Sequence, residues 1–300
     1  MSAAPAQAIV DTHQHLWDLD QFSLPWTKDE KKLAHSFVVA DYLKATAGLN
    51  ISQTVYMEVD VEPKQQTAEA RYVIDLCQRD DNPMSAAVIS GRPSHDGFAA
   101  YLDQFKDNPQ IKGLRQVLQG PATPPGYCLD AKFVRGIQLL GERGLSFDLC
   151  MRSSELLDAD KLVAQCPHVR FIVDHCGNMS VQEKDAEKRR AWQNGMRHLA
   201  DHDNVVCKVS GIVASAAEKW TADDLRPNIE FTLETFGPDR VMFGGDWPVC
   251  TLRATYQEWV AALEEIVKKH PATARQKLFC DNAVTFYGLP ADGKKWQSRV

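Results

Sequence analysis

Eight short apolar runs rich in β-branched residues recur along the chain, with longer amphipathic segments between them. This alternation constrains the fold more than any other feature. The runs are 8–13 (AIVDTH), 52–59 (SQTVYMEV), 84–90 (MSAAVIS), 111–117 (IKGLRQV), 145–151 (LSFDLCM), 169–174 (VRFIVD), 204–210 (NVVCKVS) and 240–245 (RVMFGG). Several are apolar almost throughout, as parallel strands covered on both faces must be. Segments 65–79, 131–143, 153–165, 184–202, 222–236 and 255–269 carry apolar residues at helical spacing. Asp41, Thr67 and Ser153 are the expected helix starts, and Gly48, Gly144 and Gly237 the expected stops. The pattern predicts one α/β domain over 1–300, a (β/α)8 TIM barrel, in preference to an open doubly wound sheet.

The one long irregular stretch, 17–40, directly follows the first strand. Its Trp17, Phe22, Trp26 and Phe37 predict a packed loop over something beneath it. Charge narrows the partners. Asp and Glu number 40 against 34 Lys and Arg, so a general polyanion surface is not expected and no nucleic-acid partner is called. No apolar run reaches the roughly 20 residues of a membrane span. The N-terminal MSAAPAQAIVD has neither a basic nor an apolar signal region, which makes the cytoplasm the default expectation. Eight cysteines without a CxxC are expected to be free, mostly buried thiols. Nothing in the pattern sets an oligomeric state.

In such a barrel the chemistry sits at the C-terminal ends of the strands. Strand one ends in Asp11-Thr12-His13-Gln14-His15, and residues two apart share a face, so His13 and His15 can both face the mouth. Two imidazoles there are a natural start for a metal site. Strand six delivers His175, a third ligand or a carbonyl-polarising group. Strand eight ends in Gly244-Gly245-Asp246-Trp247-Pro248, which places Asp246 beside strand one, where it can bind metal, take a proton from water, or both. Glu58 is a candidate oxygen ligand or a salt-bridged rim group. Arg115 suits recognition of a carboxylate, polarisation of a carbonyl, or charge balance. Asp148 and Lys208 are candidates for substrate contact or for pairing with each other. Trp17, Trp26 and Trp247 either line a substrate site or pack as core.

Competing motifs fail. There is no GxSxG, GxGxxG or HExxH. The run from Gly288 to Lys295 approaches a phosphate-binding loop but lacks the Ser/Thr and a preceding strand, and reads as a solvated tail.

Taken together, DTHQHLWD, VDHCGN, CKVSG and FGGDWPV, with IKGLRQV and FCDNAVTFYGL, resemble the amidohydrolase superfamily. More narrowly they resemble its TIM-barrel lactonase branch, which includes sugar-acid lactonases and 2-pyrone-4,6-dicarboxylate lactonase. The resemblance implies hydrolysis of a small lactone, most readily an aldonolactone such as L-rhamnono- or L-fuconolactone. A pyrone-dicarboxylate or muconolactone type is the alternative, and a metal-dependent decarboxylase a further one. His13, His15, His175 and Asp246 are the positions that match the family; joined to the strand-end reading, the expected mechanism has Asp246 as general base, His175 and Arg115 catalytic beside it, and His13, His15, Glu58 and Asp246 around one divalent ion, zinc first. The branch also has metal-independent members, so catalysis without an ion stays open. Strand five carries FDLCM in place of a histidine, which argues against a two-metal centre.

Overall fold

The computed structural model describes residues 7–294 and Trp296. Eight strands form one parallel sheet in sequence order: β1 Ile9–Gln14, β2 Ile51–Met57, β3 Met84–Ser90, β4 Ile111–Arg115, β5 Ser146–Leu149, β6 Arg170–Val173, β7 Val205–Val209 and β8 Val241–Phe243. Every apolar run named from the sequence became a strand. Closure runs through the chain just beyond β8: Gln14 bridges Trp247, and the amide of Asp246 donates to His13 O at 2.8 Å. The outcome is the expected (β/α)8 barrel, with a long loop after β1.

The expected helices form as α2 Gln66–Gln78, α4 Ala131–Glu142, α5 Leu156–Gln165, α6 Ala186–Ala200, α7 Ala222–Phe236 and α8 Tyr256–Val267. Short helices α1 Val39–Ala45, α3 Phe98–Asp103, α9 Ala272–Gln276 and α10 Asn282–Tyr287 complete the set. Two start signals need correction. Thr67 lies inside α2, behind the cap position Gln65, and Asp41 is the third residue of α1, reaching back to the amide of Val38 at 3.0 Å. Gly237 closes α7 at φ 71°, as expected of a stop.

Val10, Val55, Met57, Ala86, Val88, Ile172 and Met242 fill the barrel interior, and Ala283, Tyr287 and Leu289 join them from the C-terminal segment. That segment is therefore not a solvated tail: Gln53 donates to Pro290 O at 2.9 Å, and Lys294 Nζ to Cys77 O and Met84 O. Lys295 lies outside the described residues. The larger core lies between the sheet and its helices and holds six of the eight free cysteines; a seventh, Cys150, is buried beside the barrel mouth. Among the described residues no helix is long and apolar enough to cross a membrane.

The 17–40 loop is packed. Trp17 and Phe37 exchange backbone hydrogen bonds at 2.9 and 2.8 Å, and Trp17 meets Trp26 edge-on at 5.6 Å. The loop lies over the β1 and β8 side of the mouth, where Phe37 packs on Trp247.

Candidate active site

Strand β1 does not run regularly to its end. Its pairing with β2 shifts between Asp11 and Gln14, a bulge-like irregularity that re-aims side chains. His13 has the sequence parity of Ile9, which packs in the outer core, yet His13 meets Arg115 and Asp174 inside the barrel. The irregularity delivers both histidines to the mouth. Asp11 fixes it in place. Its Oδ1 accepts from the amides of His13 (3.0 Å) and Gly245 (2.7 Å), and its Oδ2 from the hydroxyls of Tyr42 and Tyr256 (both 2.9 Å). Four donors hold one buried carboxylate and join the end of β1 to the chain after β8. Gly245 permits this, because a Cβ there would stand 2.6 Å from Asp11 Oδ2.

The expected groups converge. His15 Nε2 lies 3.3 Å and His13 Nε2 3.7 Å from Asp246 Oδ1. The ring of His175 lies 4.5 Å from that of His13. His15 Nδ1 donates to Met57 O at 2.9 Å, which leaves Nε2 with its lone pair toward Asp246. His175 Nδ1 meets Ser210 Oγ at 2.9 Å. Gly211 makes room for that ring: a Cβ on it would stand 2.2 Å from His175 Nδ1.

Burial sets the charge states. It holds His15 down at about 4 and His13 well below its ordinary value, so both are neutral imidazoles at pH 7. Burial pushes Asp246 up to about 6, so it is a carboxylate at neutral pH and a stronger base than an exposed one.

The second element of the site is Arg115. Its Nε donates to Glu58 Oε1 at 2.7 Å, its Nη2 to Glu58 O at 2.8 Å, and its Nη1 lies 3.2 Å from His13 Nε2 and 3.3 Å from Asp174 Oδ2. The expectation of Glu58 as a metal ligand is corrected by these contacts. Its Oε1 faces the guanidinium, its Oε2 takes the amide of Asp60 at 2.7 Å, and it belongs to neither cluster of close donor atoms.

Two such clusters exist among the described residues: His13, His15 and Asp246, and His13, Asp174 and His175. An ion bound at about 2.1 Å in tetrahedral geometry needs donors roughly 3.4 Å apart. The 3.3 and 3.7 Å separations of the first set fit that requirement, and its neutral imidazoles and carboxylate are in ligand form. The residues therefore fit a single ion. In the first set one donor atom, His13 Nε2, shares the Arg115 Nη1 contact at 3.2 Å; in the second set Asp174 lies between two cations, Arg115 Nη1 at 3.3 Å and Lys208 Nζ at 3.6 Å, and fits an ion less well.

Two buried carboxylates, Asp174 and Asp11, complete the site without a signal in the sequence; Asp174 is the first. It is fully buried; although burial opposes ionisation, Lys208 and His13 hold its carboxyl well below the usual range. Asp11 is the second. Each position becomes informative only through partners on distant strands.

Above these groups opens a cavity of about 670 Å³, whose wall includes His15, Trp26, Asp60, Arg115, His175 and Asp246. Trp26 stands at its rim, 41% exposed, with its indole N–H on Val59 O at 2.8 Å. Four other residues expected to touch substrate do not line it. Trp17 is fully buried and donates to His35 O at 2.6 Å. Trp247 is wedged edge-on against Phe37 and Tyr42. Asp148 and Lys208 pair inside the barrel at 2.5 Å, which is the alternative the sequence allowed for them. Large aromatics and paired charges serve here as packing behind the wall.

The chain is 28% identical over 292 residues to an L-fucono-1,5-lactonase of Burkholderia multivorans, covering 94% of this chain and 96% of that one. It is 24% identical to an L-rhamnono-gamma-lactonase of Scheffersomyces stipitis, over 60% of this chain and 59% of that one. In fold it matches a crystal structure of a Burkholderia multivorans amidohydrolase with bound zinc, at TM-score 0.84 and 25% identity, covering 94% of this chain and all of that one. A profile of the amidohydrolase family matches residues 10–289, nearly the whole barrel, and the chain belongs to that family.

Proposed function

We propose that the protein hydrolyses a small lactone, with an aldonolactone such as L-fucono- or L-rhamnonolactone as the best candidate. The observation that carries this reading is the convergence of His15, His175, Arg115 and Asp246 on one open cavity, with His13 directly behind them. The lactonase names of the relatives point the same way.

Water attacks the lactone carbonyl while the Asp246 carboxylate takes its proton; the carbon–oxygen bond to the ring then breaks, and Asp246 returns the proton to the departing ring oxygen. The developing oxyanion needs donors already in place. Arg115 supplies one through the second N–H of Nη2, whose first is on Glu58 O. His175 supplies a second in the tautomer where Ser210 Oγ donates to Nδ1 and the ring proton sits on Nε2. Arg115 is rigid in this role, since Glu58 and Asp174 grip it from two sides. His13, His15 and Asp246 would hold a single divalent ion, zinc by donor preference, and that ion would supply Lewis acidity at the carbonyl. The Trp26 face offers a platform for a sugar ring.

The decarboxylase alternative draws less support. Strand β5 brings Asp148, which is engaged by Lys208, and no histidine to add to a metal site.

A pH-indicator screen across sugar lactones, muconolactones and pyrone dicarboxylate tests the reading. Turnover of aldonolactones is expected. No acid release from any lactone contradicts it.

A further inference from the structure

Five residues other than glycine adopt left-handed backbone in the described chain: Asp60, His175, Cys176, Asn178 and Asp246, with φ between 49° and 57°. All follow β2, β6 or β8, and all but Cys176 line the mouth cavity. A residue with a Cβ holds this conformation at a cost, and such residues cluster where a side chain must be presented for use. His175 and Asp246 have roles in the reaction above. Asp60 has none yet.

Its setting is that of an acceptor. Asp60 Oδ1 accepts from Arg92 Nη2 at 2.8 Å, and Arg92 is held in turn by Ser90 Oγ at 3.2 Å and Gly91 O at 3.0 Å. Asp60 Oδ2 accepts no hydrogen bond from any described residue, and the side chain is 37% exposed on the cavity wall. The carboxylate is thus anchored by one oxygen and open at the other.

Few charges share the wall with it. The cavity wall carries two carboxylates, Asp60 and Asp246, and a single cation, Arg115. Arg115 is turned onto Glu58, Asp174 and His13. Asp60 is ion-paired on one side with Arg92, which fixes its open oxygen toward the cavity. A ligand hydroxyl would meet an open acceptor.

We propose that Asp60 is a specificity-determining residue that accepts hydrogen bonds from the hydroxyls of a polyhydroxylated lactone. This rests on the lactone reading above and narrows it to one substrate class. A hydrogen bond to a charged acceptor sets the expected size, about tenfold or more in affinity.

The test uses the full chain and two readouts. The first is calorimetric binding of an uncharged polyhydroxylated lactam, a stable mimic that needs no turnover. The Asp60→Ala variant is expected to weaken it by about tenfold or more, with Asp60→Asn losing less because its amide oxygen still accepts. The second is kinetics: KM for a polyhydroxylated lactone should rise by a similar factor while kcat stays within about threefold, and a lactone without hydroxyls should be affected little. Unchanged lactam affinity, or an equal loss on both lactones, overturns the assignment. If the lactam binds through Asp60 but no lactone is opened, the hydrolase reading fails and the hydroxyl-recognition role stands.

Discussion

His15 Nε2 stands 3.3 Å from Asp246 Oδ1, with the opposite ring nitrogen of His15 fixed on the Met57 carbonyl. That hydrogen bond settles the tautomer. It aims a bare nitrogen lone pair at the carboxylate, which is the arrangement a shared ion requires.

A metal consequence follows from this pair. Protein purified without added ions is expected to carry one divalent ion per chain by elemental analysis, and dialysis against chelator should remove it. His15→Ala should bind it at least about tenfold more weakly. Full retention of the ion in that variant would show that the first donor set is not the site.

The Lys208–Asp148 pair predicts a stability effect that is separate from the chemistry. Both side chains are fully buried, and Lys208 also faces Asp174 at 3.6 Å. Lys208→Met would leave Asp148 without its cation and Asp174 with Arg115 alone, at a cost of about 3–5 kcal/mol in denaturant melts. Adding Asp148→Leu should recover part of the loss. A single-variant loss under about 1 kcal/mol would contradict the pairing.

Glu69 gives a pH dependence. It is buried behind β2, where its Oε1 accepts from Tyr56 (3.0 Å) and the amide of Val59 (2.8 Å). Burial pushes it up from 4.5 to about 8. Between about 4.5 and 8 the folded state therefore keeps a proton that the unfolded state releases, so the Glu69 contribution to stability is full below 4.5 and is lost as pH rises toward about 8. Glu69→Gln should flatten that slope in melts taken at several pH values. An unchanged slope would place the titration elsewhere.

The barrel was legible because parallel strands buried on both faces leave an unmistakable mark, as in MSAAVIS and VRFIVD. His13, His15, His175 and Asp246 were legible because strand ends are where a barrel places its chemistry. Other assignments depended on pairings the sequence does not display. Glu58 looks like a ligand until Arg115, fifty-seven positions away, is seen to grip it. Asp11 looks inert until Tyr42 and Tyr256 arrive from two helices. Trp17 and Trp247 sit beside the active strands in sequence, but the packed 17–40 loop turns both into core. The Gly288–Lys295 run looked solvated because its one apolar anchor is Leu289 and its other ties, from Gln53 to Pro290 O and from Lys294 to Cys77 O, join distant positions.

The central claim is that Asp246 moves the proton in lactone opening. The direct measurement is kcat of Asp246→Asn on an aldonolactone that the wild type opens, with a thermal melt to confirm the fold. Loss of general-base catalysis predicts a fall of about 10²–10⁴-fold with the melt little changed. Turnover near that of the wild type in a folded Asp246→Asn variant would contradict the account.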